Sequence, residues 1–351
     1  MECFLRELPK CEHHLHLEGT LEPDLLFPLA SRNNIQLPDN FPKTVEELNK
    51  RYSQFADLQD FLDFYYIGTN VLVQEDDFFD LAWAYFQRAK SDGLWHCEVF
   101  FDPQSHTERG IDLDVVVKGF QRACDKAQSE LGITTQLIMC LLRHLPSQSG
   151  LATIESAREH IANGTIHALG LDSAEKPFPP QLFCDCYSRV KEINPSIQLT
   201  AHAGEEGDAD FVTNSLNLLN VTRIDHGINS VHDDILIKRL SDNQTLLTVC
   251  PLSNVKLQVV KDVSELPLQK LLDANVPFSL NSDDPAYFGG YILDNYVAVH
   301  TRFGWSIDTW AQVAVNAING SWCHQDRKDE ILREIANVVE KHRPIIEKIS
   351  A

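Results

Sequence analysis

Eight short runs of the 351-residue chain are apolar on both faces, and amphipathic segments separate them. The runs are Cys11–His16, Trp95–Phe101, Gln136–Leu142, Ile166–Leu171, Ile197–His202, Arg223–His226, Leu246–Cys250 and Pro277–Asn281. Double-sided apolarity is what buried parallel strands require, because helices cover both faces of such a sheet. The separating segments, for example Asp77–Ala89, Leu113–Leu131, Thr153–Ile161, Leu182–Ile193, Asp233–Leu240 and Leu266–Leu272, carry helical periodicity. Eight strands with helical crossovers predict an α/β (β/α)8 TIM barrel forming one catalytic domain over 1–351. An open doubly wound sheet is the alternative, but no glycine-rich phosphate loop supports it. Leu21 to Ser91 is too long for one crossover. It carries at least three helical patterns, including Leu58–Val71 with Phe61, Phe64 and Tyr65 on one face, and is expected to be a helical insertion covering the barrel mouth. The tail beyond about Tyr291 predicts further helices.

Composition narrows the partners. Lys+Arg number 30 against Asp+Glu 51, a net charge of -21. That field repels phosphate backbones, so no nucleic-acid partner is expected. No apolar run approaches the ~20 residues of a membrane span, so no membrane partner is expected either. The nine cysteines are odd in number and sit mostly in apolar surroundings, as Cys97, Cys140 and Cys250 do, which fits small buried hydrophobes in a reducing compartment. Met1 to Lys10 holds no signal-like apolar stretch, and the expected location is the cytoplasm, with the nucleus second. Without a secretion signal, the sequons at Asn163, Asn220, Asn243 and Asn319 read as chance.

Four polar clusters fall where a barrel places chemistry, at the C-terminal ends of its strands. His14-Leu15-His16 puts two imidazoles two residues apart, on one strand face, with His13 turned away. His202-Ala203-Gly204-Glu205 closes the fifth run, and small residues there let the backbone turn and bring Glu205 beside His202. Asp225-His226-Gly227 offers a histidine as ligand or base, with Asp225 suited to fix an imidazole tautomer. Ser282-Asp283-Asp284 ends the last run with adjacent carboxylates that divide their work, one toward a metal and one toward a substrate. Three imidazoles and one carboxylate suit a single Zn2+, which lowers the pKa of water toward about 7. Glu205 is the candidate acid. The P-C-x-x-C half of the small zinc nucleobase-deaminase fold is missing, as are G-x-S-x-G, Walker and dinucleotide fingerprints.

These clusters, with Lys10–Thr20, Leu141-Leu142-Arg143-His144 and the stretch Pro277–Tyr291, resemble the adenosine and adenine deaminase family along essentially the whole chain. The resemblance is closest to its fungal adenine deaminase branch. It implies a zinc-dependent (β/α)8 barrel that turns a purine base, adenine, into hypoxanthine and ammonia in purine salvage. His14, His16, His202 and Asp283 would hold one Zn2+, Glu205 would give a proton to N1 as hydroxide attacks C6, His226 would orient or deprotonate the attacking water, and Asp284 would bond N7. Two departures from the adenosine-specific pattern, His16-Leu17-Glu18-Gly19 and Asp172-Ser173-Ala174-Glu175, carry the expectation that Glu18 and Glu175 lie at the substrate and that one or both select the free base. Deamination of adenosine or of an N6-substituted AMP on the same site is the nearest alternative. A zinc protein without catalysis would not be expected to keep Glu205 and His226. A two-metal phosphotriesterase-like amidohydrolase wants a lysine where the fourth run ends Gly170-Leu171-Asp172.

Overall fold

A computed structural model describes residues 1–350 of the chain, with side chains described through 346. One parallel sheet holds eight strands in sequence order: β1 Lys10–Glu12, β2 Leu94–Phe101, β3 Thr134–Leu142, β4 Ile166–Asp172, β5 Gln198–Ala203, β6 Arg223–His226, β7 Leu246–Val249 and β8 Phe278–Leu280. The barrel predicted from the eight runs is the barrel observed. β1 is shorter than expected, ending at Glu12, before the His14–His16 pair. The seam between last and first strands is made instead by the segments that follow them. The Asp283 N–H donates to His14 O, and the His16 N–H donates to Asp283 O, each at 3.0 Å. Glu12 staples the same seam, accepting from the Ser282 N–H at 2.9 Å and from Tyr85 Oη at 2.6 Å.

Strand alternation divides the core. Glu98 and Phe100 on β2, Ile138 and Cys140 on β3, and Ala168 on β4 are all buried, and each pair within a strand lies two residues apart. Phe100, Ile138, Cys140 and Ala168 form an apolar plug inside the barrel, with Trp322 packed against it. Beneath that plug Arg223 on β6 reaches the Glu98 carboxylate in a buried ion pair. The Arg223 guanidinium carbon lies over the Trp322 ring, 3.7 Å from its centroid. The intervening residues alternate outward into the larger core between strands and helices.

Beyond the N-terminal helix α1 (Glu2–Glu7), four helices lie between β1 and β2: α2 Pro23–Arg32, α3 Val45–Tyr52, α4 Leu58–Thr69 and α5 Glu75–Ser91. Thr44 and Asp57 cap α3 and α4 by accepting backbone N–H bonds, which fixes where each helix starts. The segment expected as one helix over Thr153–Ile161 is two, Ser147–Ser156 and Arg158–Ala162. The backbone departs from helical geometry at Ala157 (φ -85°, ψ 0°). Four helices follow β8: the single turn Pro285–Phe288, then Ile292–Phe303, Ile307–Gly320 and Gln325–Ser350.

Candidate active site

At the C-terminal ends of the strands, ligand-capable atoms of His14, His16, His202 and Asp283 lie within 4.8 Å of one another, and all four residues are buried. His14 Nε2 is 3.2 Å and His16 Nε2 3.5 Å from Asp283 Oδ1, while His16 Nε2 and His202 Nε2 face each other at 3.2 Å. Each imidazole has a polar neighbour on its far side: Thr248 Oγ1 at 2.9 Å from His14 Nδ1, Asp172 Oδ2 at 3.6 Å from His16 Nδ1, and Asp225 Oδ2 at 3.4 Å from His202 Nδ1. Such neighbours fix tautomers and turn the Nε2 lone pairs inward. Among the described residues His14 Nε2 has no hydrogen-bond donor. Lone pairs crowded around one point, with burial holding the His14 and His16 imidazoles neutral, fit a divalent cation and little else. A second grouping, His14, His226, Cys250 and Asp283, shares two of these residues. Burial pushes the Cys250 thiol far up, so it stays protonated and is the poorer ligand.

The other predicted residues sort by distance. His226 Nε2 stands 3.4 Å from Glu205 Oε2, and both residues line one cleft with Asp283 and Asp284. Burial first, then the neighbouring Asp283 charge, raises the Glu205 carboxyl, and the same two causes raise Asp284. Both are thereby disposed to hold a proton. Asp225 stays ionised, lowered by its hydrogen bond and charge interaction with His202 against the cost of burial. Arg143 Nη1 donates to His202 O at 2.8 Å and so fixes that strand end. His13 faces away, bonding Ser279 and Ser321.

Glu175 corrects an expectation. It does not touch the cleft. Its Oε2 accepts from the N–H groups of Gly204 and Gly207, and its Oε1 from that of Glu205, each at 3.0 Å. Asn229 holds the same loop from the other side through the carbonyls of Glu205 (2.9 Å) and Gly207 (2.8 Å). Glu175 therefore shapes the loop that carries Glu205. Glu18 likewise lies outside the cleft lining. Its Oε1 accepts from the Asp102 N–H at 3.1 Å and pairs with His106 Nε2 at 2.9 Å. The cleft residue that the sequence reading passed over is Asp102. It follows β2 directly, at the C-terminal end of its strand, the end where His202 and His226 lie on theirs, and that placement was the available signal. Above the cleft, α4 supplies Leu58, Phe61, Leu62, Tyr65 and Tyr66.

Residues 9–338 match the family described as adenosine deaminase. The chain belongs to that family. The adenine deaminase of Candida glabrata is 67% identical over 342 residues, covering 97% of this chain and 99% of its own length. That of Saccharomyces cerevisiae is 67% identical over 340 residues, 97% of this chain and 98% of its own length. Among solved structures, the adenine deaminase of Arthrobacter aurescens superposes with a TM-score of 0.90 at 41% identity, covering 95% of this chain and 99% of that one. As a member of the adenosine deaminase family the chain is a metal-dependent hydrolase, and its His/Asp cluster is where the metal would be held.

Proposed function

We propose that this chain is an adenine deaminase, converting adenine and water to hypoxanthine and ammonia, with one zinc ion held by His14, His16, His202 and Asp283. The observation that carries the proposal is the joining of that ligand set to Glu205 and His226 in one buried cleft, in a chain 67% identical to named adenine deaminases. Three imidazoles and one carboxylate favour zinc over harder cations, which prefer all-oxygen ligands. The metal supplies a Lewis acid that makes water nucleophilic at neutral pH.

The chain's own groups do the rest. Asp284 donates its carboxyl O–H to N7 and sets the purine's rotation. Glu205 delivers its proton to N1 as water adds at C6, so the charge developing on the ring is neutralised where it forms. His226 takes the proton that the attacking water gives up. Glu205, now a carboxylate, accepts the proton of the new C6 hydroxyl. The proton that His226 took passes to the exocyclic amine, the C6–N6 bond breaks and ammonia leaves. Phe61, Tyr65 and Leu58 of α4 cover the ring and exclude bulk water.

Adenosine and N6-substituted AMP are not favoured as substrates, because both curated relatives above are adenine deaminases. Purified protein is expected to deplete adenine and spare adenosine, to lose that activity on chelation and to regain it with zinc. Faster loss of adenosine than of adenine, or full activity in the chelated protein, would overturn the proposal.

A further inference from the structure

We propose that Asp102, backed by Asp172, admits the free base by accepting the hydrogen bond of the purine N9–H, and so refuses purines substituted at N9. The inference rests on the adenine reading above and assigns the selection that Glu18 and Glu175 are not placed to perform.

Asp102 follows β2 and Asp172 ends β4, and both line the cleft with Glu205, His226, Asp283 and Asp284. They are 3% and 2% exposed, and a carboxyl oxygen of each lies within 4.8 Å of the other's and of a His16 ring nitrogen. Among the described residues no lysine or arginine lines the cleft to compensate them. Asp102 Oδ1 is left without any hydrogen-bond donor among the described residues. A buried carboxyl oxygen without a donor is costly to keep unless a ligand supplies one.

Adenine supplies it. With C6 toward His226, N1 toward Glu205 and N7 toward Asp284, three of the purine's faces are used. What remains is the N3–C4–N9 edge, and the cleft carboxyl still without a task is that of Asp102. In free adenine that edge carries the N–H of N9, a donor, and a carboxylate oxygen is an acceptor. Asp172, standing beside Asp102 and facing His16, closes that side of the pocket. A purine with carbon at N9 brings no hydrogen to Asp102 and leaves that oxygen desolvated and unpaired. Sites built around one buried hydrogen bond reject the analogue that lacks it by roughly 10⁴–10⁵.

The test compares kcat/KM for adenine and for 9-methyladenine, which differ only at N9. In the wild type the ratio is expected to exceed about 10³. In Asp102→Ala it should fall to within about tenfold, chiefly through loss on adenine, with metal content unchanged. Asp102→Asn keeps an oxygen acceptor and should fall between, which decides the matter if the alanine variant does not fold. Wild-type turnover of 9-methyladenine within about tenfold of adenine would overturn the inference. So would an Asp102 variant that slows both substrates in proportion, as a purely structural role predicts. A wild type inert on adenine would instead overturn the adenine reading, and this inference with it.

Discussion

His226, Asp283 and Ser173 hold positive φ angles of 64°, 63° and 72°, a region that side chains other than glycine's rarely enter. Each sits where β6, β8 or β4 gives way to its loop, and each lines the cleft. Such residues cost of order 1–3 kcal/mol apiece and persist where surrounding contacts impose them. Here the return is direction: the sharp turn points His226 at Glu205 and Asp283 at three imidazoles. Within this frame Glu205 has one task that its shape alone cannot perform. Glu205→Gln keeps size and polarity but has no acidic proton for N1. Its kcat is expected to fall at least about 10²–10⁴-fold while metal content stays at wild-type stoichiometry. Rapid-quench product formation and metal analysis on the same sample check both halves.

At the scale of elements, short connections set the active-site geometry. The single helical turn Glu18–Thr20 passes so close to the last strand's loop that a Cβ on Gly19 would fall 2.0 Å from Asp284 Oδ1 and 2.8 Å from Asp284 Cα. Gly19→Ala should therefore push Asp284 out of line, lowering kcat/KM for adenine by about tenfold or more while leaving the metal site filled. Titrating substrate at fixed metal occupancy separates these effects. The strands were legible because a buried parallel strand has a composition of its own, and the ligand residues because histidines at strand ends have few other reasons to be there. Glu175 was misjudged because a carboxylate gripping three backbone amides looks, in a sequence, like one gripping a substrate. Asp102 went unseen because Phe101-Asp102-Pro103 reads as an ordinary turn after a strand. The break at Ala157 was invisible because Ala157 is a good helix former and the interruption comes from the tertiary setting. The four helices between β1 and β2 were anticipated from their excess length, and their hold over the cleft comes from aromatic packing. Phe61 lies against Tyr287 and Phe288, with ring centroids 5.4 and 4.8 Å away.

Across the whole molecule, opposite sides of the barrel are joined through its interior by Glu98 on β2 and Arg223 on β6. The guanidinium, aided by the His96 imidazole, holds the Glu98 carboxyl well below the usual carboxylate range despite complete burial. A carboxyl whose pKa is depressed by folding stabilises the fold above its unfolded pKa of about 4.3, and that contribution drains away as pH falls further, toward its folded value. Glu98→Gln leaves Arg223 buried without a counter-charge and should cost about 3–5 kcal/mol. Its urea midpoint should also lose part of the acid dependence seen in the wild type between about pH 4.5 and the acid limit of folding. Equal stability of the two proteins at neutral pH would contradict this. The seam at the other end of the barrel has a consequence for how the molecule is made. Asp283 is bonded by its backbone to His14 and His16, so the last strand to leave the ribosome completes the lattice that the first one began. A nascent chain halted before Asp283 has imidazoles without their carboxylate and a first strand without its second neighbour. Closure of the barrel and assembly of the four metal ligands therefore arrive together, once Asp283 has been made.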